Sequence, residues 1–168
     1  MKSRALRIVR WVVVGLAGLV GGFALVGATQ PRDHELSRTV ELEPAPDEVF
    51  AILEDREAYP CWRSGLDAIE VQSDSRFVES ASGDDVPYEV VEREPGRKLV
   101  VRIADPDLPY GGQWTYALEP RGSGTALTIT EAGFVDNLVM RGIASLFMDP
   151  AASIEQFQAD LLAHRTCD

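Results

Sequence analysis

The sequence predicts an α+β protein, a curved antiparallel sheet of about seven strands covered by a long C-terminal helix. Two observations carry this. Strand-like alternation recurs at short intervals over 36–43, 66–73, 76–82, 86–94, 98–105, 111–119 and 125–134, the spacing of a meander. The closing run 137–165 is the longest helix-patterned stretch outside the apolar N-terminus, and in its second half Ile154, Phe157 and Leu161 recur at i, i+3 and i+7. Such a stripe needs an apolar partner, and a sheet with one apolar face supplies it.

Each element has a local cause. In 36–43, Leu36, Arg38, Val40 and Leu42 share one face and Ser37, Thr39, Glu41 and Glu43 the other, a half-buried strand. Pro44-Ala45-Pro46 ends it. Asp47 and Glu48 then put negative charge into the first turn of a helix whose apolar face is Val49, Phe50, Ile52 and Leu53. A second short piece, 56–63, is interrupted by Pro60. The reversals between later strands carry Ser73-Asp74-Ser75, Gly83-Asp84, Pro95-Gly96 and Gly122-Ser123-Gly124, residues suited to tight turns. In the closing run Asp149-Pro150 is a helix-start signal, Asp as a cap and Pro at a position whose N–H has no partner anyway, so a break or kink is expected there.

Charge divides the chain. Met1 to Ala28 holds Lys2, Arg4, Arg7 and Arg10 and no acid, whereas the remainder has 12 basic against 27 acidic residues. An acidic body argues against nucleic acid as a partner, because phosphate binding needs a basic surface. Residues 1–10 read as a basic cytoplasmic N-terminus. Residues 11–28 are 18 uncharged residues, roughly 27 Å as a helix, enough to cross a bilayer. Basic residues before this run place the N-terminus in the cytoplasm and the body across the membrane. The alternative is a signal peptide cut after Val26-Gly27-Ala28, leaving a secreted protein; the anchor is preferred because the apolar run exceeds the usual ~7–15 residues of a signal core. Residues 29–35, with Pro31, read as a linker, and 36–165 as the domain.

No cofactor and no metal site is expected. His34 and His164 have no companions at ligand spacing, and Cys61 and Cys167 are too few for a zinc site. If exported, the two cysteines could pair; two unpaired thiols is the preferred reading. Neither a Gly-x-Ser-x-Gly elbow nor a glycine-rich phosphate loop occurs.

Alternation assigns the inward side chains. Leu99, Val101 and Ile103 share a face, as do Tyr88 and Val90, then Trp114, Tyr116 and Leu118, then Leu127, Ile129 and Glu131. Glu131 stands out, because an inward carboxylate must be paired or protonated, unless Gly133 marks a bend that has already turned it to solvent.

The segments SRTVELEPAPDEVFAILEDREAYPCW (37–62), GGQWTYALEPRGSGTALTITEAG (111–133) and LFMDPAASIEQFQADLLAH (146–164), in this order and spacing, resemble the helix-grip fold of the START/Bet v 1-like (SRPBCC) superfamily, and within it the polyketide cyclase/dehydrase and lipid-transport group. The resemblance covers 36–165, with two short helices after the first strand. It implies an internal cavity between sheet and helix for a hydrophobic small molecule or lipid, and no particular reaction. The residues expected to line that cavity are Tyr88, Val101, Ile103, Trp114, Tyr116, Glu131, Phe134, Met140, Phe147 and Phe157, although any one of them could simply fill the core. In this fold the early helices support the far end of the closing helix, which would bring Cys61 and Cys167 near each other.

The first functional expectation is membrane-tethered binding or transport of a hydrophobic molecule, with the half of the closing run before Asp149 as a lid. The second is a cyclase, dehydratase or isomerase on an aromatic or polyketide-like substrate, with Glu131 as the cavity acid. A third is a protein-interaction module without a small ligand.

Overall fold

The computed structural model describes residues 2–149 and 151–164. The chain forms two compact units. One holds the chain up to Asp33 together with Val135–Asp149; the other holds His34–Phe134 and the residues after Asp149.

The second unit carries the sheet. Its strands are β1 (Asp33–Leu42), β2 (Ala68–Ser73), β3 (Arg76–Ala81), β4 (Asp84–Glu94), β5 (Lys98–Ile103), β6 (Tyr110–Arg121) and β7 (Gly124–Val135). They form one seven-stranded antiparallel sheet in the order β1-β7-β6-β5-β4-β3-β2. From β2 to β7 this is the expected meander, and β1 joins its far edge beside β7. The β3–β4 reversal uses Ser82 and Gly83, both at positive φ (54° and 89°), the backbone that a two-residue hairpin matched to strand twist requires. In β4 a bulge between Val90 and Glu92 inserts Val91 into the ladder. Val91 is accordingly exposed while Tyr88 and Val90 stay packed on the core.

Between β1 and β2 come α2 (Pro46–Glu54), a 3₁₀ turn (Arg56–Ala58) and α3 (Tyr59–Trp62). Glu48 accepts from the Ala45 backbone N–H at 3.0 Å, and Pro46 occupies the first turn, so the start of α2 is fixed by its own sequence. The helix buries Val49, Phe50 and Leu53. One further helix, α5 (Ala152–Leu162), buries Ile154, Phe157 and Leu161. These meet Leu99, Val101, Leu118, Leu127 and Ile129 of the sheet in one core, so the i, i+3, i+7 stripe finds its partner as expected.

The other unit is helical: α1 (Lys2–Thr29) and α4 (Leu138–Phe147). The side chain of Asn137 caps α4, accepting from the N–H groups of Val139 and Met140 at 2.9 and 3.0 Å. The two helices pack on each other across Gly27 and Gly142. Thus the expected single C-terminal helix is divided: it breaks between Phe147 and Ala152, where the Asp149-Pro150 signal lies, and its second half covers the sheet. Pro150 itself lies outside the described residues. The reason is chemical. The stripe on α5 matches a sheet face, whereas α4 is apolar on most sides and carries a glycine that lets another backbone approach.

Cys61 is disulfide-bonded, so the preferred expectation of two unpaired thiols does not hold for it; Cys167 lies outside the described residues.

Candidate functional site

Within the second unit, the inner face of the sheet, α3 and α5 enclose a cavity of about 210 Å³. Its wall is chiefly aromatic. Phe77 of β3 and Tyr88 of β4 are directly opposed in the ladder and stack with ring centroids 5.4 Å apart; Tyr88 lies 5.9 Å from Trp114, and Tyr116 lies 5.5 Å from Phe157 of α5. Val101 is registered against Trp114 and Leu99 against Tyr116, which is why the aromatic residues at 114 and 116 face the same side as the aliphatic ones of β5.

One ion pair interrupts this wall. Arg63, the residue at the C-terminal end of α3, donates to the carboxylate of Glu79 on β3, and both side chains are largely buried, 22% and 14% exposed. The guanidinium also lies over the rings of Tyr59 and Phe157, at 4.9 and 5.3 Å from their centroids. Its position is set by neighbours: its own N–H bonds the Tyr59 carbonyl at 2.8 Å, and the adjacent Ser64 is held to Asp160 of α5 by backbone and hydroxyl bonds of 2.7 and 2.8 Å. Burial by itself would lower the Arg63 pKa, but the Glu79 carboxylate outweighs it and holds the guanidinium above its ordinary value. Arg63 is therefore a fixed cation inside an apolar wall.

Three phenols surround the pair. Tyr59, Tyr88 and Tyr116 all have pKa values raised, first by burial; nearby tyrosines or carboxylates add to it, Glu79 in all three, while Arg63 opposes it in all three. They remain protonated donors at neutral pH. Tyr59 donates to the Leu53 carbonyl at 2.5 Å. Because the folded pKa exceeds the unfolded value of about 10, these phenols contribute stability that is fully present below about pH 10 and lost as pH rises above it. The unfolding midpoint should thus hold up to about pH 10 and fall beyond it. Tyrosinate absorbance near 295 nm should show these three phenols ionising only as the fold is lost; early ionisation of all of them would contradict their burial.

The cavity wall contains Tyr88, Val101, Trp114, Tyr116 and Phe157 from the sequence expectation. Ile103 pairs with Tyr88 in the ladder and is not part of the wall. Glu131 faces the same side as Leu127 and Ile129, so the strand does not turn it to solvent. It is 16% exposed and accepts from Trp114 Nε1 at 3.1 Å and Ser153 Oγ at 2.8 Å, with His34 Nε2 at 3.4 Å. Thus Glu131 braces two wall residues without lining the cavity itself. Phe134 lies against Gly111, also outside the wall. Met140 and Phe147 sit on α4, in the other unit.

Sequence reasoning missed Arg63, Glu79, Tyr59, Phe77 and Ser153 as wall residues. A signal existed for Glu79: it follows Phe77 by two in a strand, so alternation turns it inward in the same way as Glu131. Arg63 lies just beyond a four-residue helix, where no periodicity fixes direction.

The chain matches the profile of the family described as polyketide cyclase/dehydrase and lipid transport over residues 33–158. No curated protein matches it by sequence. Solved structures do: a START superfamily protein from Mycobacterium smegmatis (16% identity, TM-score 0.62, covering 77% of this chain and 95% of that one); the di-domain ARO/CYC StfQ from the steffimycin biosynthetic pathway (14%, 0.63, 79% and 50%); and norcoclaurine synthase from Thalictrum flavum (10%, 0.61, 83% and 89%). At these identities the likeness concerns the fold alone, which is the α+β helix-grip arrangement. A seven-stranded antiparallel sheet gripping a C-terminal helix over an aromatic cavity, with a family profile spanning most of the chain, makes this a member of the polyketide cyclase/dehydrase and lipid-transport family of the START/Bet v 1-like (SRPBCC) superfamily, with a ligand-binding fold.

Proposed function

We propose that this protein binds a small, mostly apolar molecule with one hydrogen-bonding or anionic end, and does so tethered to a membrane by α1. The observation that supports it is the cavity: a wall of aromatic and aliphatic side chains into which the Arg63–Glu79 pair, phenols and Ser153 bring the polar groups. That is the composition of a ligand pocket, apolar with a few placed polar groups. Size narrows the class. At about 210 Å³ the cavity is below the usual pocket range of about 300–1,000 Å³. It exceeds the roughly 150 Å³ that admits benzene in an apolar core. A substituted single ring or short chain fits; a whole two-chain lipid does not.

For the tether, the segment Arg7–Thr29 of α1 is long and apolar enough to cross a bilayer, and the basic residues before its apolar core orient it with the N-terminus in the cytoplasm and the body outside. A signal sequence passes the same test of length and composition; the length of the apolar run favours the anchor. Catalysis of a cyclisation, dehydration or isomerisation through Glu131 is a less favoured reading, since that carboxylate is committed to Trp114 and Ser153 and does not itself line the cavity.

Calorimetry on the full chain in detergent micelles, with 4-ethylphenol and ethylbenzene as probes, tests the reading. Both should bind, the phenol about 2- to 10-fold tighter for one added hydrogen bond. The variant Val101→Phe, which fills the cavity, should abolish uptake of both. Failure of either probe to bind the unmodified chain, or binding that Val101→Phe leaves unchanged, would refute it.

A further inference from the structure

We propose that α4 is a second membrane element, lying in the acyl/headgroup boundary of the leaflet nearest the body, beside α1. The inference rests on α1 being a membrane span. Four observations within the helical unit carry it. First, the exposed surface of α4 and its C-cap is apolar apart from Ser145: Leu138, Met140, Ile143, Leu146, Phe147 and Met148 are 39–72% accessible, too much apolar surface on one short helix for a purely aqueous setting.

Second, this surface continues that of α1. A Cβ on Gly142 would lie 2.0 Å from the Phe23 carbonyl oxygen, and one on Gly27 would lie 1.9 Å from that of Leu138, so the two backbones touch without intervening side chains. Small residues at the crossing are how helices associate in lipid, where burial of apolar surface gives no drive. The rings of Phe23 and Phe147 meet edge to face at 6.2 Å.

Third, the depth is right. Phe23 and Gly27 precede Thr29, the last residue of α1, by about 9 and 3 Å along the axis. An amphipathic helix at an interface sits about 5–10 Å into the headgroup/acyl boundary. With 10 residues, about 15 Å, α4 is too short to span, and the chain leaves β7 at Val135 and re-enters helix at Ala152.

Fourth, the polar groups gather at one level. The single charge on α4, Arg141, folds back: its Nε and Nη2 donate to the Val135 carbonyl at 2.9 and 2.6 Å, and its Nη1 to that of Gln30 at 3.4 Å. Arg32 pairs with Asp136 at 2.5 Å. These groups mark the end of α1 as a charged belt; beyond it on α4 the side chains are apolar until Asp149 except Ser145, whose hydroxyl donates to the Gly142 carbonyl at 3.0 Å. A bilayer, with its polar surface above hydrocarbon, has that profile.

The test uses the full chain in phosphatidylcholine/phosphatidylglycerol vesicles, oxidised so that an introduced thiol is the reactive one, with an NBD fluorophore at one position: Phe147→Cys, Leu16→Cys or Asp84→Cys. The unsubstituted chain, labelled in parallel, gives the blank. Position 147 should lose emission to lipids carrying a spin label high on the acyl chain more than to those labelled near its end. Position 16 should show the reverse and position 84 neither. Quenching at 16 without quenching at 147 overturns the inference and leaves the span intact; a blue-shifted but unquenched 147 overturns it too, pointing to cover by a second protein chain. If 16 itself is unquenched, the span reading falls first and the inference with it.

Discussion

Replacing Arg63 by methionine should destabilise the body by about 3–5 kcal/mol, because it leaves the Glu79 carboxylate uncompensated inside an aromatic wall. The pair joins a loop residue after α3 to the third strand, so its loss also removes a guanidinium stacked on Tyr59 and Phe157. Denaturant unfolding of the full chain in micelles, followed by tryptophan emission, gives the difference. The double variant Arg63→Met, Glu79→Met should recover most of the stability, since a buried ion pair exchanged for apolar groups of similar volume is often neutral or stabilising. It should nevertheless lose the preference for 4-ethylphenol over ethylbenzene. If the single variant costs less than about 1 kcal/mol, the pair behaves as a solvated surface bridge and the polar end assigned to the ligand loses its anchor. This separates two roles for one pair: the single variant reports folding, the double variant recognition.

Phe157→Ala should cost about 3–5 kcal/mol, the usual consequence of removing a buried aromatic side chain and leaving a cavity. Phe157 is 9% exposed and touches the Trp62 and Tyr116 rings at 5.5 Å each as well as the Arg63 guanidinium. The site cannot collapse easily, because α5 is held on both sides by Ile154 and Leu161, 1% and 5% exposed. One turn on, Leu161→Ala should cost about 2–5 kcal/mol but leave ligand uptake unchanged, since Leu161 packs in the core and is absent from the cavity wall. Phe157→Ala should also admit bulkier probes than the unmodified chain takes. Equal probe binding in the two alanine variants would mean that Phe157 is core alone.

The strand-borne part of this site was legible because it follows from a two-residue period. Tyr88, Val101, Trp114 and Tyr116 lie where alternation places them, and Glu131 continues the face of Leu127 and Ile129. Backbone pleating imposes that period whatever the rest of the chain does. The stripe on α5 was legible for the same reason, with the helical period in place of the strand's. Position 91 is instructive: an inserted residue in β4 breaks the period locally, and no hydropathy pattern announces a bulge.

By itself, then, the sequence determined the class of fold, the meander, the inward face of each strand, the break near Asp149-Pro150 and an N-terminal helix able to cross a bilayer. All of these rest on local periods, turn chemistry and composition. The tertiary structure alone decided three things: that Arg63 meets Glu79, that the cavity is only about 210 Å³, and that α4 packs on α1. The first depends on the direction of a loop, which has no period. The second depends on how far aromatic side chains close on one another across the core, a matter of rotamers and volume. The third depends on shape: hydropathy shows that α4 is apolar, but only the fit of Gly142 against Gly27 selects which apolar surface it meets.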